Sequence, residues 1–229
     1  MSRELVRFPI NNSNLNSFIE GNLVIPDNPI GIIVFVHGSG SGKGSYRNQI
    51  VSENLNENNI ATLLFDLLAE EEQESDRQLE NIIYKIPGAI LNKFNIPLLR
   101  DRLSMVTDWI MTHEILSNLK IGYFASSTGG AAALIACAKK PVKSITIRSG
   151  RTDLVDNNLL GQIISPCLFI VGSKEKSLLN ISKQTMKKLR NAEEKELSII
   201  QNASHLFEEE GSMKEVAEIA TGWIKRHFI

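Results

Sequence analysis

The chain has 229 residues, with 25 Lys and Arg against 26 Asp and Glu, for a net charge of −1. Proteins that grip nucleic acid by neutralising phosphates carry a basic excess, and this one has none. With 42% hydrophobic and 22% charged residues, whole-chain disorder and fibrous structure are excluded, and the length suits a single domain with a sizeable core. No stretch approaches the ~18 apolar residues of a membrane span. Met1–Glu20 lacks a basic region followed by an apolar one, so we expect no secretion signal, no membrane partner and a cytoplasmic protein. Cys137 and Cys167 both sit in apolar runs, which suits buried thiols better than a disulfide.

In chain order, Leu5–Pro9 and Ser17–Val24 alternate weakly and read as a pair of antiparallel edge strands. Ile32–Val36 and Ala61–Phe65 are apolar without alternation, the pattern of strands covered on both faces. The rhythm then breaks between Asp66 and Ile96, a stretch that opens with the acidic run 70–76 and contains Pro87-Gly88. So long an insertion in a compact domain is a candidate lid, at about 67–96, and the acidic run reads as a solvated face. Leu99, Leu103, Val106 and Ile110 recur at helical spacing. Strands follow at Ile121–Ala125, Ser144–Ile147, Cys167–Val171 and Leu197–Ile200. A final helix carries Val216, Ile219, Ala220 and Trp223, and Ser212 with Glu215 forms an expected capping box. Alternating strands and helices predict an α/β domain with a mostly parallel central sheet and helices on both faces, spanning 1–229.

The most informative segment is Ala125-Ser-Ser-Thr-Gly129, where a strand gives way to a small-residue helix. The spacing small-x-Ser-x-small is that of a nucleophile elbow, with Ser127 as the nucleophile. A serine projecting from so tight a turn needs minimal side chains two residues before and two after it. The helix that follows aims backbone N–H groups at the place where an oxyanion forms. A nucleophile at Ser126 would put Phe124 and Thr128 at the small positions.

The loop His37-Gly-Ser-Gly-Ser-Gly-Lys43 follows a buried strand. As a phosphate loop it misses Walker A, because His37 stands where the first glycine belongs and Gly44 follows Lys43. The G-x-G-x-x-G pattern also fails. Nucleotide binding through residues 38–44 therefore stays only as a lesser alternative. In a hydrolase of this architecture the loop donates one oxyanion N–H, for which Ser39 is the candidate, with Thr128 giving the other.

Among four histidines, His113 and His227 fall late in helices, and no pair has metal-ligand spacing. His205 follows the last strand, where a general base belongs. The acid belongs after the preceding strand, which points to Glu175. Asp153, one strand earlier, is the alternative acid. The order Ser127, Glu175, His205 is the order of an α/β-hydrolase triad.

Five segments together resemble the α/β-hydrolase superfamily in its dienelactone-hydrolase-like branch: Val-His-Gly-Ser-Gly-Ser at 36–41, Ala-Ser-Ser-Thr-Gly at 125–129, Ser-Gly-Arg-Thr-Asp at 149–153, Ile-Val-Gly-Ser-Lys-Glu at 170–175 and Ala-Ser-His-Leu-Phe-Glu-Glu at 203–209. The resemblance implies a serine hydrolase without a cofactor, acting on a small-molecule ester, thioester or lactone as monomer or homodimer. His37 and Arg151 are the candidate substrate-binding side chains. The chain departs from the branch in having Ser127 where dienelactone hydrolase has cysteine, and Glu175 where Asp is usual. The alternative from another class is a hydrolase-fold protein that binds a ligand or partner without turnover.

Overall fold

The apolar runs pair into one sheet in the computed structural model, which describes residues 1–10 and 17–229. Among the described residues the sheet has eight strands: β1 (Ser2–Pro9), β2 (Phe18–Ile25), β3 (Gly31–Val36), β4 (Ile60–Phe65), β5 (Lys120–Ser126), β6 (Ser144–Arg148), β7 (Cys167–Gly172) and β8 (Lys195–Ile200). Their order is β1-β2-β4-β3-β5-β6-β7-β8. From β4 across to β8 every pairing is parallel, and β2 is antiparallel to both β1 and β4. Of the expected edge pair, only β1 is an edge. β2 lies inside the sheet and alternates, with Ile19, Leu23 and Ile25 buried and Phe18 and Asn22 exposed. β3, β4 and β7 are buried at every position, which is why they read as unbroken apolar runs.

Each face of the sheet carries its own core. One joins Ile33, Phe35, Phe124, Leu168 and Ile170 to helices α1 (Tyr46–Glu57) and α7 (Ser212–Phe228). The other joins Ile32, Val34, Val36, Ala125, Ile147 and Phe169 to α3 (Ile96–Thr112) and α4 (Thr128–Lys139), with the short α5 (Asn157–Leu160) and α6 (Lys176–Lys188) beyond them. α4 is buried almost all round, and its run of Gly and Ala lets it lie close against the strands. Phe228, the last residue of α7, fills a notch over Gly31 and Gly122, where a Cβ on Gly31 would come within 2.3 Å of its ring. Truncating a buried phenylalanine typically costs about 3–5 kcal/mol.

One local expectation needs correction. The capping box at Ser212 does not form. Gly211, at φ 77°, turns the chain into α7, and Ser212 is already its first helical residue, buried at 5% exposure. The acidic run is the solvated face expected of it, and it is helical, forming α2 (Glu70–Leu79) with Asp76 alone buried. Three glutamates in its first turn complement the helix dipole, and Glu72 accepts the Ala69 N–H at 2.9 Å.

The rest of the insertion is tied to α2 by buried polar contacts. Asp76, 4% exposed, accepts the backbone N–H groups of Asn92 (2.7 Å) and Lys93 (2.8 Å). Glu72 pairs with Arg102 on α3 at 2.8 Å, with both side chains largely buried. Between these clamps Ile82, Tyr84, Ile86 and Ile90 are exposed. We expect limited proteolysis to cut first within 80–91. Asp76→Ala should speed that cut several-fold without changing the far-ultraviolet circular dichroism of the rest, because it frees the return strand of the loop. First cleavage outside 67–96 would contradict the clamp.

Candidate active site

Loops from five parallel strands converge at the carboxyl edge of the sheet, where open α/β sheets bind their ligands. The tightest turn among them is at Ser127. β5 ends at Ser126 and α4 begins at Thr128, so one residue makes the whole reversal, at φ 49° and ψ −125°. A non-glycine residue held there stores strain of about 1–3 kcal/mol, a feature that clusters at functional sites. Ser126, the other candidate, is an ordinary strand residue paired with Arg148.

The neighbours explain the small residues. A Cβ on Gly129 would sit 2.2 Å from the Val36 carbonyl oxygen and 2.6 Å from that of His37. A Cβ on Gly38 would sit 2.6 Å from the Ser127 Cβ. The 37–39 loop therefore presses directly on the serine. It is held there by the Ser39 N–H, which donates to the Thr128 hydroxyl at 3.1 Å. The two candidate oxyanion donors thus stand side by side, with the Ser39 N–H engaged by Thr128 Oγ1.

His37 is not free to bind substrate. Its Nε2 accepts the Leu67 N–H at 3.0 Å, so the proton is on Nδ1, which donates to the Gly38 carbonyl at 2.9 Å. The ring is a buried brace between the loops after β3 and β4, and burial lowers its pKa. Lys43 is likewise occupied. Its ammonium meets Asp66 at 2.7 Å and Glu20 at 3.3 Å, and Asp66 also takes the Lys43 N–H. Burial opposes the Lys43 charge, but these carboxylates outweigh it and raise its pKa. A lysine held by two carboxylates is poorly disposed to a phosphate, which disfavours nucleotide binding at 38–44.

Glu175 and His205 come together, and Asp153 stays apart. Gly172, the last residue of β7, has no room for a Cβ, which would lie 2.3 Å from the Ala203 carbonyl oxygen. That close approach brings the loop after β7 against the loop after β8. It leaves Glu175 Oε2 3.7 Å from His205 Nδ1, an ion-pair distance longer than a hydrogen bond. Asp153 instead takes a fork of two bonds from Arg151, at 2.9 and 2.8 Å, and that partner lowers its pKa. The pair satisfies itself at the surface. Arg151 as a substrate ligand and Asp153 as the acid are therefore both disfavoured.

One residue of the site carries only a faint signal in the sequence. Glu209 accepts the Ser204 N–H (3.0 Å), the Ser204 hydroxyl (3.2 Å) and the Lys174 ammonium (2.9 Å), and so ties down the loop that holds His205. The Ser204 N–H, then Lys174, hold its pKa at about 2. Only the position of a glutamate four residues beyond the histidine hints at this. A cleft of about 710 Å³ opens nearby, walled by residues 37–42 and 44–47 on one side and by Leu67, Leu68, Gln73, Asp76 and Lys93 on the other. The insertion thus forms one wall of the cleft.

Two outcomes follow. Because folded His37 resists the proton that the unfolded chain accepts, its contribution to stability declines as pH falls below the ordinary histidine value of 6.5. Chemical denaturation of His37→Gln should therefore show a shallower loss of stability from pH 7 to 5 than the parent chain, and parallel curves would count against a neutral brace. Glu209→Gln should loosen the loop that carries His205, read as several-fold faster amide exchange at 203–207, and unchanged exchange would count against the anchor.

No protein-family model matches the chain. It is 37% identical over 211 residues to a Mycobacterium tuberculosis protein named "Putative phosphoribosyl transferase", and it spans 44% of the length of that curated relative. Its structure superposes on dienelactone hydrolase from Anabaena variabilis with a TM-score of 0.87 at 37% identity, covering 99% of this chain and 98% of the other. It also matches Est1E from Butyrivibrio proteoclasticus at a TM-score of 0.76 and 13% identity, a likeness of fold alone, over 97% of this chain and 98% of that one. The chain belongs to the α/β-hydrolase superfamily, in its dienelactone-hydrolase-like branch.

Proposed function

We propose that the protein is a serine hydrolase that cleaves a small ester, thioester or lactone through an acyl-enzyme on Ser127. The observation that carries this reading is the backbone of Ser127, at φ 49° between β5 and the buried N-terminus of α4, with the 37–39 loop pressed against it. A serine kept in a costly conformation, with glycines clearing its surroundings, is set up to project its hydroxyl.

The chemistry runs as acyl transfer. His205 takes the Ser127 proton as Oγ attacks the carbonyl carbon, and the imidazolium returns that proton to the leaving oxygen or sulfur. Glu175, beside Nδ1, orients the ring and stabilises its cationic form. The N–H groups of Ser39 and Thr128 hold the developing oxyanion. For this the Thr128 hydroxyl must yield its hydrogen bond to the substrate oxygen. Water, activated by His205, then releases the acid and regenerates the serine. The segment 67–96 acts as a lid over the 710 Å³ cleft. The buried, unpaired thiols of Cys137 and Cys167 suit the reducing cytoplasm.

A fluorophosphonate probe should label the parent chain and not Ser127→Ala. That variant should lose on the order of 10⁴-fold in turnover of a 4-nitrophenyl ester. Glu175→Gln should lose about 10³-fold with folding intact by circular dichroism, and Asp153→Asn far less. An unlabelled parent chain would favour a ligand-binding protein without turnover. A crippled Asp153→Asn beside a normal Glu175→Gln would reassign the acid.

A further inference from the structure

Ser127 is gripped from the side of β6 as well as from the 37–39 loop. Its carbonyl accepts the Arg151 N–H at 2.9 Å and the Gly130 N–H at 3.0 Å, and its own N–H reaches the Arg148 carbonyl at 3.4 Å. The turn that brings Arg151 there is itself forced. Like Ser127, Ser149 is a non-glycine residue at positive φ, here 48°, and it is 2% exposed. Its hydroxyl is buried without a partner, so the side chain is not what the position uses, while its N–H donates to the Ile170 carbonyl at 2.9 Å. Gly150, next to it, has no room for a Cβ, which would lie 2.2 Å from Ile147 Cγ2. Behind the turn, the buried hydroxyls of Thr152 and Thr185 meet at 2.7 Å. Thr185 is on α6, the helix that begins just after Glu175. A backbone kept in a costly conformation by packing on every side is a mark of functional sites.

The peptide unit that this turn holds is the one that carries an oxyanion donor. The Ser127 carbonyl and the Thr128 N–H belong to the same planar trans unit and point in opposite directions. Fixing the oxygen on one side therefore fixes the aim of the hydrogen on the other. Thr128 opens α4, so its N–H has no carbonyl to meet within the helix. A hydrogen bond donated to the carbonyl also polarises the unit and makes its N–H a stronger donor. We propose that the turn 149–151 is a positioning element of the oxyanion site, in which the Arg151 N–H, acting through the Ser127 carbonyl, aims the Thr128 N–H at the substrate oxygen. The role belongs to the Arg151 backbone, since the side chain is taken up by Asp153. It rests on the hydrolase reading, and adds to it a contact from outside the triad and its two oxyanion donors.

The test separates the oxyanion site from substrate binding. Turnover is read on 4-nitrophenyl butyrate, per serine that a fluorophosphonate labels at completion, and the oxyanion site is read by inhibition with butylboronic acid, which forms a tetrahedral adduct on an active serine. Arg151→Pro deletes the N–H at a residue whose φ of −84° is near that of proline. Arg151→Ala keeps the N–H, loses the guanidinium, and is the reference. Arg151→Pro should have a kcat about 10²-fold below that of Arg151→Ala, with KM within about twofold, and should bind the boronic acid more weakly by a similar factor. A merely structural role would lower the yield of folded protein and leave kcat per labelled serine unmoved. Should Arg151→Pro fail to fold by circular dichroism, Ser149→Gly and Ser149→Val form the deciding pair. Glycine enters φ 48° freely and a β-branched residue resists it, so valine should lie about tenfold below glycine in kcat at similar KM. Equal kcat within the deciding pair, or a loss carried by KM alone, overturns the positioning role and keeps the hydrolase. A parent chain that neither turns over the ester nor takes up the fluorophosphonate overturns the hydrolase reading, and the positioning role with it.

Discussion

Gly129 lies so close to the carbonyls of Val36 and His37 that no side chain fits between them, and Gly38 likewise has no room for a Cβ beside Ser127. These two contacts join the turn after β5 to the loop after β3, and the neighbouring elements follow from them. α4 starts at Thr128 because the chain must reverse within one residue, and its buried Ala and Gly face allows it to sink against the sheet. The Ser39 N–H then finds the Thr128 hydroxyl, and His37, turned the other way, braces the loop after β4 with its ring. Strain at one residue is sustained because the packing around it leaves no lower path for the backbone.

Charge in the site is arranged by the same economy of space. Most carboxylates near the carboxyl edge already have partners: Asp153 has Arg151, Asp66 has Lys43, and Glu209 has Ser204 and Lys174. Each of these pairs fixes a loop. Glu175 differs, since it faces His205 at 3.7 Å, beyond hydrogen-bond reach, and is not locked to its partner. Arg47 and Arg148 are the converse case, cations whose surroundings supply almost no counter-charge.

The fold was legible because buried parallel strands write themselves as short apolar runs, and β3, β4, β5 and β7 do so plainly. The elbow was legible because its sterics restrict residue type at Ala125 and Gly129. Less was legible where the determinant is contact between distant segments. Nothing in His37 says that its two nitrogens are taken by backbone, and nothing in Asp76 says that it holds two N–H groups sixteen and seventeen residues on. α2 was hidden because a helix of Glu, Gln, Ser and Asp has almost no apolar stripe, with Asp76 alone buried. The Ser212 cap failed because glycine at 211 can enter the left-handed region, which makes a side-chain cap unnecessary.

The seat of Phe228 over Gly31 and Gly122 has a consequence for how the domain is joined to anything else. Gly31 opens β3 and Lys120 opens β5, so this seat lies at the amino edge of the sheet, the end opposite Ser127, Glu175 and His205. Ile229, the next residue, is 86% exposed. A polypeptide joined after Ile229 would leave from the underside of the molecule, anchored by the phenylalanine immediately before it. A fused module would pull on the amino edge of β3 and leave the mouth of the cleft unobstructed.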